Sequence, residues 1–121
     1  MAVRALRGAT QVEADDRDLV IDATAELIRT VLDRNGLTDD ALISVIYTTT
    51  PDLVSEFPAY AARAIGITDV PFLCASEIAV PDAMPRVIRL LALVEADFAR
   101  SQARHAYLRG ARALRTDLPR D

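Results

Sequence analysis

"MPRVIRLLALVEADF", Met84 to Phe98, reads as a strand that enters a protein core. In strand alternation Val87, Arg89, Leu91 and Leu93 share one face, and Ile88, Leu90, Ala92 and Val94 share the other. Both faces are apolar except for Arg89, so the strand is expected where both sides are covered. A buried guanidinium with no partner costs about 3–5 kcal/mol. It must therefore meet a carboxylate, Glu77 in the preceding loop or Glu95 on the same face, or else a bound anion.

Outward from this strand, the pattern sets the remaining elements. Val3 to Gly8 alternate weakly and predict a first strand ending at Gly8. From Asp16 to Asn35 the apolar Leu19, Val20, Ala23, Leu27, Ile28, Val31 and Leu32 recur at helical spacing. Asp15 or Asp16 is available as N-cap, and Gly36 follows the last turn. "ALISVIYTTT" predicts a strand over Leu42 to Thr48. Pro51 and Pro58 can each open a short helix, and Pro58 to Ile65 is read as one, stopped by Gly66. "VPFLC" predicts a brief buried strand, "SEIAVPDAMP" a loop with a 3₁₀ turn, and "HAYLRGARAL" a last strand. "RTDLPRD", residues 115–121, reads as a mobile polar tail.

The order β-α-β-α-β-β-β gives a mixed five-stranded sheet backed on one face by one long helix and a short second one. Two such helices cannot cover both faces of five strands. Another subunit is the economical cover, so a homo-oligomer is expected.

The 121 residues contain no repeat or linker-like stretch and suit a single domain spanning 1–121. No uncharged apolar run approaches the roughly 20 residues of a membrane span. "MAVRALRGAT" lacks the apolar stretch of a secretory signal, so the cytoplasm is the expected location. The net charge of −4 argues against a nucleic-acid surface. The single cysteine, Cys74, excludes an internal disulfide, and with one histidine, His105, it excludes the zinc spacings. Neither a metal nor a cofactor is expected.

Familiar catalytic signatures are missing. Four glycines, at 8, 36, 66 and 110, cannot build a dinucleotide or phosphate loop. What stands out is arginine in strand-like settings: Arg7 at the end of the first strand, Arg89 inside the long one, Arg115 at the exit of the last, and Arg63 on the short helix. Each has an ordinary reading. Arg7 and Arg115 can be solvated strand ends and Arg63 a surface helix residue. Cys74 can be a small core residue, and Tyr107 a half-buried sheet aromatic.

Four blocks in order, "VRALRGAT", "TPDLVSEFPAYAAR", "CASEIAVPDAMPRVIRL" and "RHAYLRGARALRTDL", resemble the monofunctional, trimeric α+β class of chorismate mutase from Val3 to Leu118. The resemblance implies an isomerase that rearranges chorismate to prephenate on the way to phenylalanine and tyrosine. It implies three sites at the interfaces of a homotrimer with a barrel-like centre. Arg7 would bind a substrate carboxylate, Cys74 and Glu77 would meet the ring hydroxyl, Arg89 would contact the ether oxygen, and Tyr107 would contact a carboxylate. Phe57, Ala59, Arg63, Leu114 and Arg115 would fall on pocket or rim positions. The pattern departs at Tyr60, where a lysine is familiar, and at Leu73, where a threonine is.

This chemistry moves no proton. It needs a held conformer and a fixed cation where charge gathers on the ether oxygen, so scarce histidine and cysteine are compatible with it. The competing reading is a trimeric, non-catalytic module that senses an anionic metabolite through the same arginines. The "C-x-x-E" spacing ahead of Arg89 favours the enzyme.

Overall fold

Helix α1 (Arg17–Arg34) forms where the apolar spacing predicts it, its start capped by a side chain and its end closed by a backbone turn at a glycine. The Asp16 carboxylate accepts the Leu19 N–H at 3.1 Å, the usual N-cap bond. At the other end Gly36 takes φ +66°. The N–H groups of Gly36 and Leu37 then close on the Asp33 and Leu32 carbonyls, a Schellman stop that glycine makes strain-free. The inward stripe is Val20, Ala23, Thr24, Leu27, Ile28, Val31 and Leu32, all buried.

The computed structural model describes residues 1–115. Besides α1 these comprise β1 (Ala2–Gln11), β2 (Leu42–Thr49), α2 (Ala59–Ala64), β3 (Phe72–Ser76), β4 (Val87–Ala96) and β5 (Ala106–Tyr107). Short 3₁₀ turns lie at Asp39–Ala41, Arg100–Gln102 and Arg109–Leu114. The five strands form one mixed sheet in the order β3-β2-β4-β1-β5. Central β4 is antiparallel to both β1 and β2, while the outer pairs β1/β5 and β2/β3 are parallel. Residues 116–121, most of the expected tail, lie outside the described residues.

Alternation along β4 sorts its side chains as expected. Ile88, Leu90, Ala92, Val94 and Ala96 are buried, and they meet the α1 stripe together with Leu6, Val45 and Tyr47. Each large aliphatic side chain buried there contributes about 1.5–3 kcal/mol. The other face is not covered by a helix. Val3, Ile46, Leu73 and Leu91 are 57, 41, 62 and 39% exposed on it. Among the described residues its cover is the 3₁₀ segment Arg109–Leu114, whose Ala111 packs on Ala9 and Val87, together with Met84 of the loop before β4.

Several boundaries differ from the sequence reading. β1 does not stop at Gly8 but runs on to Gln11. A Cβ at Gly8 would lie 3.0 Å from Leu27 Cδ1 and 3.1 Å from Val31 Cγ2, so this glycine admits the helix and does not end the strand. The last strand spans only two of the ten residues expected. Arg109 takes φ +52°, which turns the chain off β1 into the 3₁₀ segment. Pro51 sits in a turn and opens no helix, and β3 begins at Phe72 and is not buried as expected, because it is an edge strand whose Leu73, Ala75 and Ser76 are exposed. The loop before β4 folds through a turn with Asp82 at φ +66°, without the 3₁₀ turn expected there.

Candidate active site

Strand register places the arginines. Thr48, Arg89, Ala9 and Tyr107 form one row across β2, β4, β1 and β5, and Leu73, Ile46, Leu91 and Arg7 occupy the neighbouring row. Both rows face away from α1. Arg7 is thus a diagonal neighbour of Arg89, with Cα atoms roughly 7–8 Å apart. Two permanent cations therefore share one open apolar face.

Arg89 is not sealed inside the protomer. Its side chain is 42% exposed, and its partner Glu77 is 20% exposed. The face it occupies is the one no helix covers, which removes the expected burial cost within one chain. Glu77 is the carboxylate partner: Arg89 Nε lies 3.2 Å from Oε2 and 3.3 Å from Oε1. Glu95 lies six residues along an extended strand, roughly 20 Å away, and is out of reach.

Glu77 is itself held from two sides. Its N–H donates to the Thr49 carbonyl at 2.8 Å, which continues the β2/β3 ladder. Its Oε2 accepts the Thr48 hydroxyl at 2.7 Å. Glu77 and Arg89 line a cavity of about 270 Å³ with Thr50, Ile78, Met84 and Pro85. Thr48 was not singled out from the sequence, because its alignment with Arg89 depends on the β2/β4 register.

The covered end of the same face supplies the other residues. Tyr107 and Leu114 pack on Ala9, Val87 and Ala111. The Arg115 guanidinium lies 5.9 Å from the Tyr107 ring centroid, within cation–π reach. His105 Nδ1 accepts the Arg7 N–H at 3.0 Å. Burial, then the charges of Arg7 and Arg115, hold the His105 pKa below the usual histidine value. The neutral ring therefore serves β1 as an acceptor.

Phe57, Ala59, Arg63 and Cys74 form a second group. Phe57, 70% exposed, and Cys74 line a separate cavity of about 320 Å³ with Thr49, Leu53, Ser55 and Ser76. Ala59 opens α2, and Arg63 is exposed one turn further on. The 53–60 loop is pinned to the start of α1. Asp15 accepts the Val54 and Ser55 N–H groups at 3.2 and 3.0 Å. Arg17 Nε lies 3.0 Å from Glu56 Oε2, and its guanidinium sits 5.0 Å over the Tyr60 ring. The Phe57 N–H and the Arg17 charge hold the Glu56 pKa below its ordinary value.

Cys74 pairs with Tyr47 on β2, on the helix side of the sheet. Burial pushes the Tyr47 hydroxyl pKa upward, and the nearby Cys74 adds to the shift. The structure therefore gathers Arg7, Glu77, Arg89, Tyr107, Leu114 and Arg115 on one side, and keeps Phe57, Ala59, Arg63 and Cys74 apart from them within one chain.

Residues 3–118 match the family model for chorismate mutase type I. The chain belongs to the type I chorismate mutase family. Among curated members, chorismate mutase AroH of Thermus thermophilus is 49% identical over 117 residues, 96% of each chain. The AroH chorismate mutase of Bacillus subtilis is 34% identical over 119 residues, 98% of this chain and 94% of that one. A solved chorismate mutase from Clostridium thermocellum superposes with a TM-score of 0.89 at 38% identity, covering 90% of this chain and 97% of that one. The α+β class, the mixed five-stranded sheet and the isomerase family expected from the sequence are borne out. Among the described residues, no group of three or more His, Cys, Asp and Glu could hold a metal, and no helix is long and apolar enough to cross a membrane.

Proposed function

We propose that this type I chorismate mutase converts chorismate to prephenate without a cofactor, in sites completed between the copies of a homotrimer. The observation that carries this reading is the diagonal placement of Arg7 and Arg89 on one open face, with Glu77 fixed against Arg89. A compact dianion needs such a surface, and the rearrangement asks for little else.

In that [3,3] step the ether C–O bond breaks while a C–C bond forms, and negative charge gathers on the ether oxygen. No proton moves. Arg89 is bound to Glu77 through Nε, which leaves its two terminal nitrogens to address the ether oxygen and a carboxylate together. Its charge is permanent and needs no reorganisation as the transition state forms. Arg7 and Tyr107 hold a carboxylate, Glu77 accepts the ring hydroxyl, and Leu114 and Arg115 close the covered end. Binding the reactive chair-like conformer supplies the entropic part of the acceleration.

A neighbouring copy contributes Phe57, Ala59, Arg63 and Cys74 in this reading. The exposed row of Leu73, Ile46 and Leu91 supports it: an apolar sheet face of this kind is stabilised by self-association, and three copies give the barrel-like centre. Location in the cytoplasm belongs to the same proposal.

The test is direct. Purified protein added to chorismate is expected to remove its absorbance and yield prephenate, with light scattering giving the mass of three chains. Chorismate left intact, or a stable monomer at micromolar concentration, overturns the reading.

A further inference from the structure

We propose that Thr48 is a positioning residue for the rearrangement, its hydroxyl locking the Glu77 carboxylate so that the Arg89 guanidinium is aimed before substrate arrives. This rests on the proposed roles of Glu77 and Arg89.

The geometry is a three-residue relay on the open face. Thr48 faces Arg89 across the β2/β4 ladder, yet its hydroxyl does not reach for the guanidinium. It donates to Glu77 Oε2 at 2.7 Å, while Arg89 Nε donates to the same carboxylate at 3.2 and 3.3 Å. Thr48 is half-buried, as is Glu77.

Without the hydroxyl, the Arg89–Glu77 pair is an ion pair whose cation is 42% exposed. Such pairs contribute little on their own and sample several geometries, because both side chains are long and flexible. A hydroxyl on a β-branched residue of a paired strand is different. Its carbon is fixed by the backbone and its rotamer is restricted, so a donor there costs little further entropy. It fixes Oε2 of Glu77, which Arg89 Nε also approaches at 3.2 Å, and leaves Oε1 for the Arg89 hydrogen bond at 3.3 Å and for a substrate hydroxyl. A carboxylate has about four acceptor positions, and the hydroxyl decides which ones remain. Placement of this kind matters most in the transition state, where charge on the ether oxygen peaks.

Thr48→Val keeps shape and β-branching but removes the donor, and Thr48→Ser keeps the donor. The expected result for Thr48→Val is a fall in kcat of roughly tenfold, equivalent to about 1.4 kcal/mol. KM should change by no more than about twofold, since substrate carboxylates are held elsewhere. Thr48→Ser is expected to restore most of the turnover. In a Glu77→Ala background, Thr48→Val is expected to add no further loss, because the relay is already broken. Thermal unfolding of each variant excludes a folding defect as the cause.

Unchanged kcat for Thr48→Val beside a strongly impaired Glu77→Ala overturns the role of Thr48 alone. So does an equal loss in the Glu77→Ala background. Full activity of Glu77→Ala would instead overturn the underlying site reading.

Discussion

Cys74 and Glu77, three residues apart at the edge of the sheet, lie on opposite sides of it. Cys74 pairs with Tyr47 and lines the cavity that holds Phe57, whereas Glu77 reaches Thr48 and Arg89 on the open face. An odd spacing along extended chain produces this result. One protomer therefore cannot turn both residues of the "C-x-x-E" segment toward one ligand from the same face. β3 is an edge strand, so a second copy packed there could bring its own Cys74 group up to this Glu77 group.

Complementation tests that arrangement. Arg89→Ala damages one group and Phe57→Asp the other, and each variant alone is expected to be nearly inactive. Co-refolded in equal amounts, they should regain activity at up to about a quarter of sites, since random assembly joins two intact halves about one time in four. Activity that stays at the level of the separate variants would place both groups in one protomer's site.

Arg89 carries the largest single expected effect. Arg89→Ala should lower kcat by more than about a hundredfold, roughly 3 kcal/mol, with oligomer mass and melting temperature kept. Among the described residues the side chain is 42% exposed and pairs with Glu77 alone, so its removal costs little stability. Arg89→Lys should also lose most activity, because a point charge on a flexible stem cannot address two acceptors while it is bound to Glu77. Steady-state kinetics on the two variants check this, and near-normal turnover in either would remove Arg89 from the chemistry.

Much of this was legible from residues alone. The β4 alternation correctly put Ile88, Leu90, Ala92 and Val94 together on one apolar face, because a period of two fixes which side chains share a side. The α1 ends were legible because capping is local chemistry. What failed was decided at a distance. Gly8 read as a stop, yet it is there so that Leu27 and Val31 can approach. The ten-residue last strand read as regular, yet a left-handed Arg109 ends its pairing. Arg89 read as sealed, because "apolar on both faces" does not say which chain covers the second face. Thr48 was invisible for a related reason: nothing local to "YTTT" announces a partner on β4.

Tyr47 offers a stability test independent of the site. Its side chain is fully buried, and among the described residues its hydroxyl has no hydrogen-bond partner. A buried unsatisfied hydroxyl costs about 1–3 kcal/mol. Tyr47→Phe keeps the ring that stacks on Phe72 at 5.8 Å and removes that cost. The variant is expected to melt at higher temperature with kcat unchanged; a lower melting temperature would mean that the hydroxyl is satisfied.

The pH dependence of activity and of stability should separate. No proton moves in the rearrangement, so kcat is expected to be nearly flat from pH 6 to 8, and a bell with two near-neutral limbs would require acid-base chemistry instead. Stability should not be flat. Burial and the charges of Arg7 and Arg115 lower the His105 pKa in the folded state. The unfolded chain therefore binds the proton first, and its preference destabilises the fold. The His105 contribution is complete above its unfolded value, about 6.5, and is lost as pH falls from there through the lower folded value. Protonation of Nδ1 would also end its acceptance of the Arg7 N–H. The lowered pKa of Glu56 acts at more acid pH, in the carboxylate range, and so leaves the interval just below 6.5 to His105. Melting temperatures between pH 7.5 and 5.5 should fall for the parent protein. They should fall distinctly less for His105→Asn, whose amide oxygen can accept the same N–H without titrating; equal slopes for the two proteins would show that another group sets the dependence.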